Sequence, residues 1–173
     1  MHVGSDSVAL DDSRRGLAPA HAEAEPDRVL YEGLMLESPL VLIDQALISA
    51  YAEMSGDKNP VHLDPQFAQS LGLKTTIAHG ALVFSRATGL AYSFGCLSRV
   101  GVQFTETDLK FKRPVYAGDY IGLHLKIVEI KGLRRGLVRV LATAKVVNQD
   151  GDIVQEYEWH GFYRSSPGLA KVS

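Results

Sequence analysis

The chain reads as a single α+β domain in which a mainly antiparallel sheet wraps around a long central helix. Three observations predict this. The run Ala81 to Phe94 is apolar nearly all round and rich in alanine and glycine, the composition of a helix enclosed by other elements. From Ser98 onward, extended segments with alternating apolar and polar residues take over. Asn148-Gln149-Asp150-Gly151 has the composition of a hairpin turn joining the last two of them.

The elements follow in order. Residues 1–27 hold Asp6, Asp11, Asp12, Arg14, Arg15, Glu23 and Glu25 with two prolines and no apolar periodicity, so a disordered arm is expected there. The domain is expected over 28–165, with a flexible tail at 166–173. Leu30 to Leu42 holds a short strand and a turn at Ser38-Pro39. Asp44 is an N-cap, and Leu47, Ile48, Tyr51 and Met54 follow at helical spacing up to Gly56. Asp64-Pro65 starts a short helix, Gln66 to Leu71, that stops at Gly72. The central helix comes next. Val102 with Phe104, and Leu109 with Phe111, suggest two extended pieces. Ile121, Leu123, Leu125 and Ile127 alternate with polar or small residues as a strand. Val138 to Val147 and Ile153 to Tyr163 form the closing pair.

The bulk numbers exclude several classes. At 173 residues, 46% hydrophobic and 22% charged, the chain supports one full core. A formal charge of −2 gives no electrostatic case for nucleic acid, and no basic helix points to a membrane surface. The stretch Ile77 to Leu97 carries His79, Ser85, Arg86 and glycines, and reads as a buried helix rather than a membrane span. A lone Cys96 and the lack of a basic-then-apolar leader fit a cytoplasmic protein.

The segment most informative about chemistry is Ser55-Gly56-Asp57-Lys58-Asn59-Pro60-Val61-His62. Gly56 loosens the backbone, Pro60 removes a donor, and Asn59 is biased toward extended structure. Asp57 and His62 are therefore expected on one fixed loop, aimed at one small volume. A carboxylate and a neutral imidazole together are the parts needed to activate water and move a proton.

Tyr51 to His62, with Ala68 six residues on, resembles the signature of the MaoC-like dehydratases, the (R)-specific enoyl-CoA hydratases. Ile77-Ala78-His79-Gly80 looks like that family's start of the central helix, and Phe111 to Asp119 like its strand-turn-strand element. The likeness covers roughly residues 35–163. It implies a hot-dog fold, a homodimer or higher homo-oligomer, and a coenzyme A or acyl-carrier-protein thioester as substrate. Met54 stands where the family commonly has a smaller residue.

Hydrating a trans-2-enoyl thioester to a (R)-3-hydroxyacyl thioester needs water activated at Cβ, a proton at Cα, and the charge on the thioester oxygen stabilised. Asp57 and His62 suit the first two tasks. The resemblance implies the backbone N–H of Gly80 for the third, and a helix start is where amides lack acceptors and the dipole is positive. Asn59 is read as a support for the loop or for His62, or as an Asx-type turn before Pro60. His79 is read as a histidine held by a backbone carbonyl. Arg86 is either a pocket cation for a substrate carboxylate or a residue of an exposed or subunit-contact face. Thr88, with Ser85, offers a pocket hydroxyl or bonds back to the preceding turn. Lys110, Lys112, Arg113, Arg134 and Arg135 offer charges for the coenzyme A phosphates, but most are read as a solvated sheet face. No metal and no cofactor is expected, coenzyme A being part of the substrate. The competing readings are a thioesterase on the same fold and a non-catalytic acyl-thioester-binding subunit.

Overall fold

The computed structural model describes residues 29–97 and 101–164. The expectations for residues 1–27 and 166–173 lie outside the described residues. Strands β1 (Met35–Glu37) and β2 (Val41–Leu42) lead into helix α1 (Gln45–Ser55). The Asp44 carboxylate accepts from the Leu47 amide and caps α1, and Gly56 closes it in the left-handed region at φ 80°. Two short helices follow, α2 (Pro60–Leu63) and α3 (Pro65–Ser70), each with proline at its first position and a capping Asn59 or Asp64. Helix α4 spans Gly80–Tyr92.

The rest is sheet: β3 (Gly101–Glu106), β4 (Lys110–Phe111), β5 (Tyr120–Gly132), β6 (Leu137–Asn148) and β7 (Ile153–Arg164). The strand order is β1-β5-β6-β7-β3, every pair antiparallel, with β2 on β5 and β4 on β7. The long hairpins β5–β6 and β6–β7 bury one face of each strand. Ile121, Leu123, Leu125 and Ile127 face inward with Val138, Val140, Ala142, Ala144 and Val146. Register explains the alanines: Ala142 lies opposite Trp159 and Ala144 opposite Tyr157, so small residues on β6 make room for large ones on β7. Helix α4 packs its Leu82, Val83, Ala87, Leu90 and Ala91 into this core. The result is the hot-dog fold, a curled antiparallel sheet around a helix.

Two expectations are corrected. Helix α4 is not enclosed all round: Ala81, Ser85, Gly89 and Tyr92 are exposed in the single chain. Small residues weaken the helical moment, so its sequence does not separate the buried face from the open one. His62 lies not on a loop but on the single turn α2, because Pro60 occupies the first helical position, where no amide donor is required.

Candidate functional site

Each candidate residue is held by a local device. Asp57 leaves α1 just past Gly56, its amide donating to Ser55 Oγ at 3.2 Å. Its Oδ1 accepts from the Asn59 amide at 3.2 Å, which leaves Oδ2 to face His62. Asn59 Oδ1 in turn accepts from the Val61 amide at 3.1 Å. This is a cap, so Asn59 supports α2 rather than the imidazole itself.

His62 is 8% exposed. Its Nδ1 lies 2.8 Å from the Ile77 carbonyl oxygen. A carbonyl only accepts, so Nδ1 carries the proton of the neutral ring and Nε2 keeps its lone pair. That Nε2 lies 4.0 Å from Asp57 Oδ2. The Ile77 segment is itself fixed: its amide donates to Val61 O at 3.2 Å, and it bridges Tyr116. Gln45 completes the brace, donating to the His62 carbonyl at 3.0 Å and accepting from the Thr76 hydroxyl.

His79 occupies the cap position of α4 without a side-chain cap bond. Its Nε2 donates to the Asp57 carbonyl at 2.8 Å, in keeping with a histidine held by backbone. Its ring stacks on His62 with centroids 3.7 Å apart and planes at 27°. Asp57, His62 and His79 offer one potential ligand atom each, all within 4.8 Å. The stacking sets the two imidazole lone pairs in neighbouring planes rather than aiming them at one point, a poor arrangement for chelating an ion.

Gly80 begins α4. A Cβ at Gly80 would collide with the Phe111 ring at Cε1, so glycine is what lets this ring lie over the helix start. Beside it a cavity of about 480 Å³ opens to solvent. His62, Gly80, Phe111, Lys112, Arg113 and Gln155 line it with a largely apolar remainder. Lys112 pairs with Glu156 at 2.7 Å and Arg113 with Asp152 at 3.0 Å. The Lys112 ammonium, hydrogen-bonded to Glu156, holds that carboxyl below the usual carboxylate range.

The structure brings His62 and Gly80 onto one cavity, while Asp57 is exposed, does not line it and meets the site only through His62 at 4.0 Å; Asn59 caps the turn that carries His62. Arg86 and Thr88 do not line this cavity. Arg86 is half-buried, its Nε buried without a hydrogen-bond partner. Thr88 Oγ1 donates back to the Ser85 carbonyl at 2.8 Å, and Thr88 borders a second cavity of about 250 Å³ with Tyr92, Trp159 and Tyr163. Sequence reasoning missed Phe111 and Gln155 as cavity residues, and it weighed Lys112 and Arg113 as partners for coenzyme A phosphates but favoured a solvated face. The signal for Gln155 was a polar residue at an inward position of β7, in phase with Tyr157 and Trp159.

A family model described as MaoC like domain matches residues 29–149. An (R)-specific enoyl-CoA hydratase from Aeromonas caviae is 34% identical over 106 residues, which are 61% of this chain and 75% of that protein. A mitochondrial 3-hydroxyacyl-acyl-carrier-protein dehydratase from Arabidopsis thaliana is 37% identical over 90 residues, 50% of this chain. The chain spans only 48% of that plant protein's length. The solved R-hydratase PhaJ1 from Pseudomonas aeruginosa superposes with a TM-score of 0.63 at 30% identity, covering 83% of this chain and 90% of that one. With the domain match spanning most of the chain and taking in both the Asp57–His62 segment and the start of α4, this protein belongs to the MaoC-like family.

Proposed function

We propose that the chain is a hydro-lyase that adds water reversibly to a trans-2-enoyl thioester, giving a (R)-3-hydroxyacyl thioester of coenzyme A or acyl carrier protein. Relatives named as hydratases and dehydratases support the class of reaction. One observation carries the reading: an imidazole lone pair on a cavity that also holds the first residue of a helix, with a carboxylate oxygen 4.0 Å from that nitrogen.

A water about 2.8 Å from both Oδ2 and Nε2 bonds each with one hydrogen, at an angle of roughly 90°. Because Ile77 holds the proton on Nδ1, Nε2 is the base. As the water oxygen adds to Cβ, Nε2 takes one proton, and Asp57 steadies the imidazolium. The electron pair of the double bond moves toward the thioester oxygen. The Gly80 amide, lacking an intrahelical acceptor, receives that charge. The imidazolium then returns its proton to Cα on the face the water came from. No further cofactor enters the scheme, and coenzyme A comes only with the substrate.

A homodimer belongs to the same proposal. Strand β3 pairs with β7 on one edge and ends the sheet, and the Ala81, Ser85 and Gly89 face of α4 is open. A second copy would fill both.

The test is one absorbance assay on crotonyl-CoA. Hydration removes the conjugated enoyl band without freeing thiol, whereas a thioesterase frees thiol and a binding subunit does neither. Asp57→Asn and His62→Ala are each expected to lower kcat by about 100-fold or more, the usual worth of an acid–base group. Near-normal turnover in either purified, folded variant would falsify the assignment.

A further inference from the structure

Gln155 is 2% exposed, the most buried polar side chain bordering the cavity. Its Nε2 donates to the Gly80 carbonyl at 2.8 Å. That bond fixes the amide's orientation, since a carbonyl cannot donate. The other end, Oε1, is buried and has no partner. A buried acceptor without a donor is destabilising, and native proteins seldom leave one so unless something else meets it.

Its position says which part of a substrate that is. Gln155 pairs across the sheet with Phe111, whose ring covers Gly80. The next two residues, Lys112 and Arg113, border the same cavity, each ion-paired with a carboxylate of the neighbouring strand region, Glu156 and Asp152. Gln155 thus lies between the reacting centre at His62 and Gly80 and the Lys112–Arg113 side of the cavity, the side on which the substrate's arm is proposed to leave. A 2-enoyl thioester has no N–H or O–H at its double bond, carbonyl or sulfur. Its first donor is the amide N–H of the cysteamine unit, two carbons beyond the sulfur. We propose that Gln155 Oε1 accepts this amide N–H, so that one side chain clamps the start of α4 and the substrate's arm together. The proposal rests on the hydro-lyase reading and adds a substrate contact to it.

The test compares two thioesters of equal length carrying the same enoyl group. One is the N-acetylcysteamine thioester. The other is the 2-acetoxyethyl thioester, in which an ester oxygen replaces the amide N–H. Wild-type protein is expected to prefer the amide by roughly tenfold in kcat/KM, the worth of one hydrogen bond. Gln155→Met, close in length and unable to accept comparably, is expected to turn over both at nearly equal rates. Equal use of the two by wild type overturns the proposal even if the variant fails to fold. So does a folded Gln155→Met that keeps the tenfold preference. Wild-type protein that hydrates neither these thioesters nor crotonyl-CoA removes the functional reading and this inference with it. Hydration of crotonyl-CoA with no amide preference removes this inference alone.

Discussion

At the scale of single residues, the site depends on which atoms are already occupied. His62 presents Nε2 because the Ile77 carbonyl occupies Nδ1, and Asp57 presents Oδ2 because the Asn59 amide occupies Oδ1. Each main-chain partner removes one choice and leaves one reactive atom. Gly80 is a sharper case, since its lack of a side chain is what the Phe111 ring requires. Gly80→Ala is expected to leave the melting temperature within a few degrees. Phe111 is 61% exposed and can swing aside, and alanine is the better helix former. Turnover is expected to fall at least tenfold, because the methyl group and the displaced ring crowd the cavity beside the amide. Unchanged kcat/KM in the alanine variant would remove Gly80 from the site.

At the scale of elements, a helix terminus and one turn aim the chemistry. Gly56 has φ 80°, and a Cβ there meets nothing within 4 Å. The cost of Gly56→Ala is therefore backbone strain alone, about 1–2 kcal/mol for an L side chain in the left-handed region. Relief of that strain would move Asp57, the next residue, so activity is expected to fall further than stability. Urea unfolding and crotonyl-CoA turnover of the same preparation check both halves. The caps at Asp44 and Asp64, and the proline after the second, were legible in the chain because capping and φ restriction act within a few residues. The turn α2 was not, since a glycine-proline segment suits a loop equally well until Pro60 is seen to begin a helical turn. The open face of α4 was not legible either. A stripe of alanine, serine and glycine looks the same whether it is buried or waiting for a partner.

At the scale of the whole molecule, the inward row of β7 sets both a cavity wall and a pH limit. Burial pushes the Tyr163 phenol up to about 12, against a hydrogen bond from the Trp159 indole at 2.7 Å, and burial raises Tyr157 as well. In the unfolded chain these phenols ionise near 10. Above that pH the unfolded state loses protons that the folded state keeps. Folding stability from these groups is therefore complete below about pH 10 and falls as pH rises through about 12. Tyr163→Phe is expected to flatten that alkaline fall, while losing the Trp159 contact at every pH. Urea midpoints measured from pH 8 to 12 test the sign, and a slope equal to that of wild type would contradict it. Among the described residues no helix is long and apolar enough to cross a membrane.

The sequence by itself determined what is local: the caps, the left-handed glycine, the strand alternation, and the Asp57 and His62 pair five positions apart. These depend on backbone sterics and periodicity within one short segment. Only the tertiary structure decided which imidazole nitrogen is free, that Lys112 and Arg113 border the cavity, and that Gln155 grips Gly80 from 75 residues away. Those facts arise from cross-strand register and from which distant carbonyl happens to lie within hydrogen-bond reach. Neither leaves a trace in the spacing of residues along a chain.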